Sequence, residues 1–225
     1  KPIDSTRKVS FRLISRTCEM FKEIWPMRQV FCSMLAISWF WLVGSVFLAQ
    51  FPTYSRLILG TDESVATSFL AIFSCGIGLG SMACNAILKG QITSKYVPSA
   101  AYGIAIASIL LWYVSDRPPV DSSAPIIGAF EFFSRPENFL ITACLFMIAF
   151  CGGLYIVPLY AVMQNRAPES KVSSVIACSN ISDSIFMALA AVGASILISS
   201  GITIPQLFLT MGPTTFIVGL LVGMI

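Results

Sequence analysis

The sequence predicts an all-α membrane protein of six transmembrane helices, and three observations carry that prediction. Hydrophobic residues make up 56% of the chain, charged residues 11%, and the mean hydropathy is +0.82, outside the range of soluble globular domains. The apolar residues gather into six runs of 22, 24, 19, 25, 27 and 20 residues, 137 of 225 in all. Each is long enough to cross a hydrocarbon core of roughly 30 Å at about 1.5 Å per residue. Proportional placement would put about fifteen of the 25 charges inside the runs, and they hold one, Asp183. A soluble bundle would need a polar face on every helix, and these runs have none wide enough.

Residues 1–28 form a basic juxtamembrane segment. Lys1, Arg7, Lys8, Arg12, Arg16, Lys22 and Arg28 alternate there with Phe11, Leu13, Ile14, Phe21 and Trp25, a pattern suited to anionic membrane lipids. The basic stretch is too long for a signal peptide, and no cleavage-type site follows. Residues 29–225 form the transmembrane part. Span one, Val30 to Phe51, carries Trp39 and Trp41 near its middle and Gln50 just before Pro52. The two tryptophans fit either a cavity lining or lipid-facing bulk. Span two, Val65 to Leu88, contains Gly76 and Gly80 at GxxxG spacing, which lets membrane helices approach closely. Span three, Val97 to Ser115, is bracketed by Tyr96, Trp112 and Tyr113, as interfacial aromatic anchors are.

The connection from Asp116 to Asn138 is the longest, and it separates three spans from three. Its prolines and serines mark loop, and "IIGAFEFF" within it is a candidate short interfacial helix. Two triplets around a long loop point to a 3+3 inverted repeat. Span four, Phe139 to Met163, holds Gly152, Gly153 and Pro158, which loosen or kink a helix and free backbone carbonyls. Such a kink serves either packing or a gate. Tyr155, Tyr160 and Gln164 add polar tips along the same helix. Span five runs from Ser173 to Ser199 and span six from Gln206 to Ile225, where "FIVGLLVGMI" has no polar anchor, so the chain reads as a piece of a longer protein.

Lysine and arginine placement sets the orientation. Eleven lie in the first segment and in the second and fourth connections, with Lys89, Lys95, Arg166 and Lys171 in the latter two. The first, third and fifth connections hold Arg56, Arg117 and Arg135 beside six acids. The basic side is expected to be cytoplasmic, with both ends of the chain facing it.

Histidine is absent, which excludes Ser-His-Asp triads, histidine metal sites and histidine proton shuttles from this chain. The seven cysteines include no CxxC pair, and most sit inside spans as small apolar fillers. No catalytic residue, metal site or cofactor is expected, and no nucleic-acid partner.

Polar chemistry concentrates in span five. Asp183 lies ten residues past Ser173, about 15 Å into the core and close to its midplane. Asn180, Asp183 and Ser184 are spaced i, i+3 and i+4 and so share a face. A charge at that depth costs about 2.5–3.5 kcal/mol on insertion scales, so Asp183 must face the bundle interior. No span supplies a Lys, Arg or His to pair with it. Either the acid is neutral and hydrogen-bonded, or its cation comes from another part of the protein, a coupling ion or the substrate. The expected substrate-binding residues are Asp183, Asn180, Tyr155, Tyr160, Gln50 and Trp39, with Gly152, Gly153 and Pro158 as gating or kink positions.

Three blocks, "ISWFWLVGSVFLAQFP" (Ile37 to Pro52), "GSMACNAILKGQI" (Gly80 to Ile92) and "GGLYIVPLYAVMQNRAP" (Gly152 to Pro168), in this order and spacing, resemble the C-terminal half of bacterial lysophospholipid transporters. These belong to the major facilitator superfamily, and the likeness is strongest to versions fused ahead of an acyltransferase and an acyl-carrier-protein synthetase. The resemblance implies one half of a twelve-helix carrier in the bacterial inner membrane, not an enzyme, whose partner is an N-terminal six-helix half. Its implied substrate is lysophospholipid, typically lysophosphatidylethanolamine, moved for re-acylation by a fused or associated acyltransferase. Gly80 and Lys89 fit the superfamily loop motif, whereas Cys84 and Asn85 stand where Asp and Arg are expected. Two other functions fit the residues: efflux of amphipathic organic cations, and a transport-inactive anchor for fused acyl-transfer enzymes.

Overall fold

In the computed structural model, which describes residues 13–116 and 125–223, every regular element is helical. The elements are α1 (Leu13–Ile24), α2 (Arg28–Thr53), α3 (Glu63–Leu88), α4 (Val97–Ser115), α5 (Ala129–Ser134), α6 (Phe139–Arg166), α7 (Val172–Ser199) and α8 (Ile204–Gly223). All but α1 and α5 are long and apolar enough to cross a membrane, and the chain is an all-α, six-helix, multi-pass membrane protein. Lys1, Arg7, Lys8 and Arg12, the loop charges Arg117 and Asp121, and the last two residues of span six lie outside the described residues.

Local chemistry sets the helix ends. Asp62 caps α3 by accepting from the Ser64 amide at 2.9 Å. The Ser64 hydroxyl donates to the same carboxylate and holds it below its ordinary range. At the other end Lys89 takes a left-handed conformation, φ +47°, and Gly90 follows at φ +80°. Helix α2 does not stop at Pro52 as the sequence suggests. The proline lacks an N–H, and the ladder absorbs the loss by widening into a π turn over Tyr54–Ile58. Tyr54 is buried there, with its hydroxyl paired to that of Ser115 on α4. Helix α6 likewise continues through Pro158 to Arg166.

Packing follows an exchange rule. Helix α3 packs on α6 and α2 on α7, each pair parallel, while α4 packs antiparallel on α8 and α2 antiparallel on α6. Swapping the first three spans for the last three turns α3–α6 into α7–α2, leaves α4–α8 and α2–α6 unchanged, and turns α4–α6 into the slighter α8–α2 contact. That is the contact pattern of a 3+3 inverted repeat. Small residues make the close approaches. A Cβ on Gly153 would strike the Ile77 carbonyl and the Ser81 amide of α3, and one on Gly80 would strike the Phe150 carbonyl of α6. Gly152 faces the Phe40 ring across the α2–α6 seam.

The long connection leads from α4 to α6, and its described part lies against the α2–α3 turn on the acidic side. Ile127 pairs with the α2–α3 turn, its N–H donating to the Gly60 carbonyl at 3.3 Å and its carbonyl accepting from Asp62 N at 3.0 Å. The Ala129 amide donates to Ser64 Oγ at 2.9 Å, and Phe132 of α5 seats edge-on against Phe69 with ring centroids 5.6 Å apart. The short helix read in "IIGAFEFF" therefore forms as α5, held by one aromatic plug. Phe130, 90% exposed, points away from the bundle.

Overpacking the α3–α6 seam should destabilise the protein by about 1–3 kcal/mol. Thermal unfolding in detergent is expected to show a lowered midpoint for Gly153→Ala and Gly80→Ala. Gly78→Ala, where an added Cβ meets nothing within 4 Å, should hold or raise it, since alanine favours the helix.

Candidate functional site

Helices α2 and α7 run parallel, and Ser38 and Asp183 each sit ten or eleven residues from the start of their helix, so they meet at one depth, about 15 Å in. Asp183 is 7% exposed. Ser38 Oγ stands 2.7 Å from Asp183 Oδ1, 2.9 Å from Ser182 Oγ and 3.1 Å from the Met34 carbonyl oxygen. Its single proton serves one of these acceptors at a time. Among the described residues, neither ion pair involves Asp183: they join Arg135 to Glu131 and Lys171 to Glu23.

Beside this buried contact lies a half-open aromatic pair. Trp41, 38% exposed, donates its indole N–H to Tyr160 Oη at 3.2 Å, linking α2 to α6. Phe40 packs edge-on against Trp41 at 5.7 Å. A buried carboxylate backed by hydroxyls, with an indole–phenol pair on nearby helices, is a set of groups whose chemistry suits an organic cation, through charge attraction and cation–π contact.

Of the expected residues, Asp183 is held by Ser38 and Tyr160 by Trp41, and the others stand elsewhere in the bundle. Asn180 is exposed on α7, where its carbonyl accepts from the Ser184 hydroxyl at 2.8 Å. Tyr155 is buried, its hydroxyl donating to the Ala36 carbonyl at 3.1 Å as a brace between α6 and α2. Trp39 turns the other way from Trp41 and donates to Thr215 Oγ1 of α8 at 3.1 Å. Gln50 lines a wide cleft between the acidic-side halves of α2 and α7, opposite Ala190, Ala194 and Ser195. Gly152, Gly153 and Pro158 sit buried in an unbroken helix. Ser38 and Ser182 escaped sequence reasoning, since a serine enters a span at little cost and carries no signal by itself. The depth match between Ser38 and Asp183 is the one clue that could have found the pair.

The two tyrosines of α6 should separate in a stability measurement. Tyr155→Phe leaves a buried carbonyl without its side-chain donor and should lower stability by about 0.5–1.5 kcal/mol. Tyr160→Phe removes a hydroxyl that meets only a half-exposed indole, and should leave the thermal midpoint unchanged.

No family model matches this chain, and no solved structure matches it. A curated protein does: the chain is similar to the lysophospholipid transporter LplT of Escherichia fergusonii, 26% identical over 187 residues. The match covers 80% of this chain and 41% of that transporter, so the chain spans less than half the length of its relative. The similarity is to a membrane transporter, not to an enzyme, and it falls on a chain whose six long helices have the build of one.

Proposed function

We propose that this chain is the C-terminal six-helix half of a major facilitator carrier for lysophospholipid, lysophosphatidylethanolamine foremost. It would work with an N-terminal half in a bacterial inner membrane, its basic side cytoplasmic. The observation that carries the reading is the buried Asp183 midway along α7, hydrogen-bonded to Ser38 of α2, the helix that also bears the Trp41–Tyr160 pair. The name of the relative supplies the substrate class, and the exchange rule among the helices supports the half-carrier architecture.

The chemistry is direct. A zwitterionic headgroup crossing hydrocarbon carries an ammonium that must be solvated on the way. Asp183 supplies the opposite charge at mid-depth, where an effective dielectric near 20 makes an ion pair at about 4 Å worth about 4 kcal/mol before desolvation. The aromatic faces of Trp41 and Tyr160 replace water around the methylene and ammonium protons. The apolar side chains around the site accept the single acyl chain. An acyltransferase, fused or associated, would consume the delivered lysolipid.

Lysolipid uptake by the full-length protein in proteoliposomes tests this. Asp183→Ala should lower uptake at least tenfold, Asp183→Asn should lower it less, and Trp41→Ala should raise the half-saturating concentration. Undiminished uptake in both Asp183 variants would remove the headgroup role. Stronger inhibition by amphipathic organic cations than by lysolipid would favour the efflux reading, and uptake that survives replacement of these six helices by unrelated spans would favour the anchor.

A further inference from the structure

Away from Asp183, two cavities meet at the basic end of the bundle. The first, about 100 Å³, lies among the ends of α2, α6 and α8 and the α3–α4 turn. Its polar lining is Arg166, Gln29, Ser33, Thr93 and Ser94, with no carboxylate. Among the described residues no acid pairs with Arg166. Arg166 and the Gln29, Ser33, Thr93 and Ser94 side chains border it, groups whose chemistry suits a phosphate and leaves an ammonium no counter-charge.

Cys32 and Val222 border this pocket and also border the second cavity. That one is an apolar groove of about 280 Å³ between α2, α7 and α8. It runs past Leu35 and Val218 to Trp39 and Phe186, seven residues along α2 from Cys32, or about 10 Å. Trp39 is fixed at the far end by its bond to Thr215. The groove exists because α7 and α8 barely touch, α7 leaning on α2 and α8 on α4 instead.

We propose that pocket and groove together form a phospholipid site on the basic side of the membrane, with the lipid phosphate on Arg166 and one acyl chain in the groove. Charge complementarity at one end and an apolar channel of chain width at the other select a phosphoester lipid over a free anion or a bare hydrocarbon. Basic pockets between helices at this depth hold headgroups of the adjoining leaflet. The site is separate from the Ser38–Asp183 contact and does not depend on the transport reading.

Native mass spectrometry of the full-length protein, delipidated and titrated with phosphatidylglycerol, tests the proposal. Arg166→Gln should weaken the tightest lipid adduct about tenfold, as loss of a charge-assisted contact predicts, and Arg166→Lys should weaken it less. Leu221→Trp, at an exposed residue on the groove wall, should weaken it comparably with the thermal midpoint unchanged. Asp183→Ala should retain the adduct while losing uptake, which separates this proposal from the transport reading. Millimolar inorganic phosphate should not displace the lipid. Full retention in Arg166→Gln would overturn the proposal. So would loss of the adduct in Asp183→Ala. Displacement by phosphate alone, with Leu221→Trp silent, would reduce the site to one for a small anion and would equally overturn it.

Discussion

The hydrogen bond between Ser38 and Asp183 answers the constraint that governs the molecule: hydrocarbon offers no partner to a polar group. A carboxylate halfway through the bilayer must find its donors within the protein. Helix α7 meets that demand by leaning on α2 at the depth where a serine is available. Much of the remaining arrangement follows from this contact. It ties two parallel helices in register, and it leaves Asn180 and Ser184 on the outer side of α7.

Small residues solve the complementary problem, that of bringing helices together when lipid tails are as apolar as leucine. The α3–α6 seam has glycine on both sides, with Gly76 and Gly80 facing α6 and Gly153 facing α3. The α4–α8 seam uses Gly212 against Ala105 and Gly219 against Ala101 in the same way. These two seams, with the Tyr155 brace to the Ala36 carbonyl, make α6 and α4 the fixed frame. The α2–α7 pair stands to one side of that frame and carries the Ser38–Asp183 contact.

Much of the fold was legible in the sequence because a membrane span is announced by composition over twenty residues, and neighbours along the chain suffice to read it. The depth of Asp183 was legible for the same reason, since rise per residue turns position into distance. The partners of Asp183 were not, because Ser38 is 145 residues away and nothing local marks it. The two tryptophans of span one show the same limit. Trp39 and Trp41 look equivalent in sequence, yet a rotation of two residues sends one to Thr215 of α8 and the other to Tyr160 of α6. The passage of α2 through Pro52 was hidden too, since a widened turn depends on Tyr54 finding a berth against α4.

The two hydrogen bonds that Ile127 makes to the α2–α3 turn have a mechanical meaning. A connection of more than twenty residues would normally let two three-helix groups drift, but this one is stitched to the first group just before α5 begins. The acidic end of the bundle is thereby fastened through the main chain as well as through packed side chains, a second tie between the two groups.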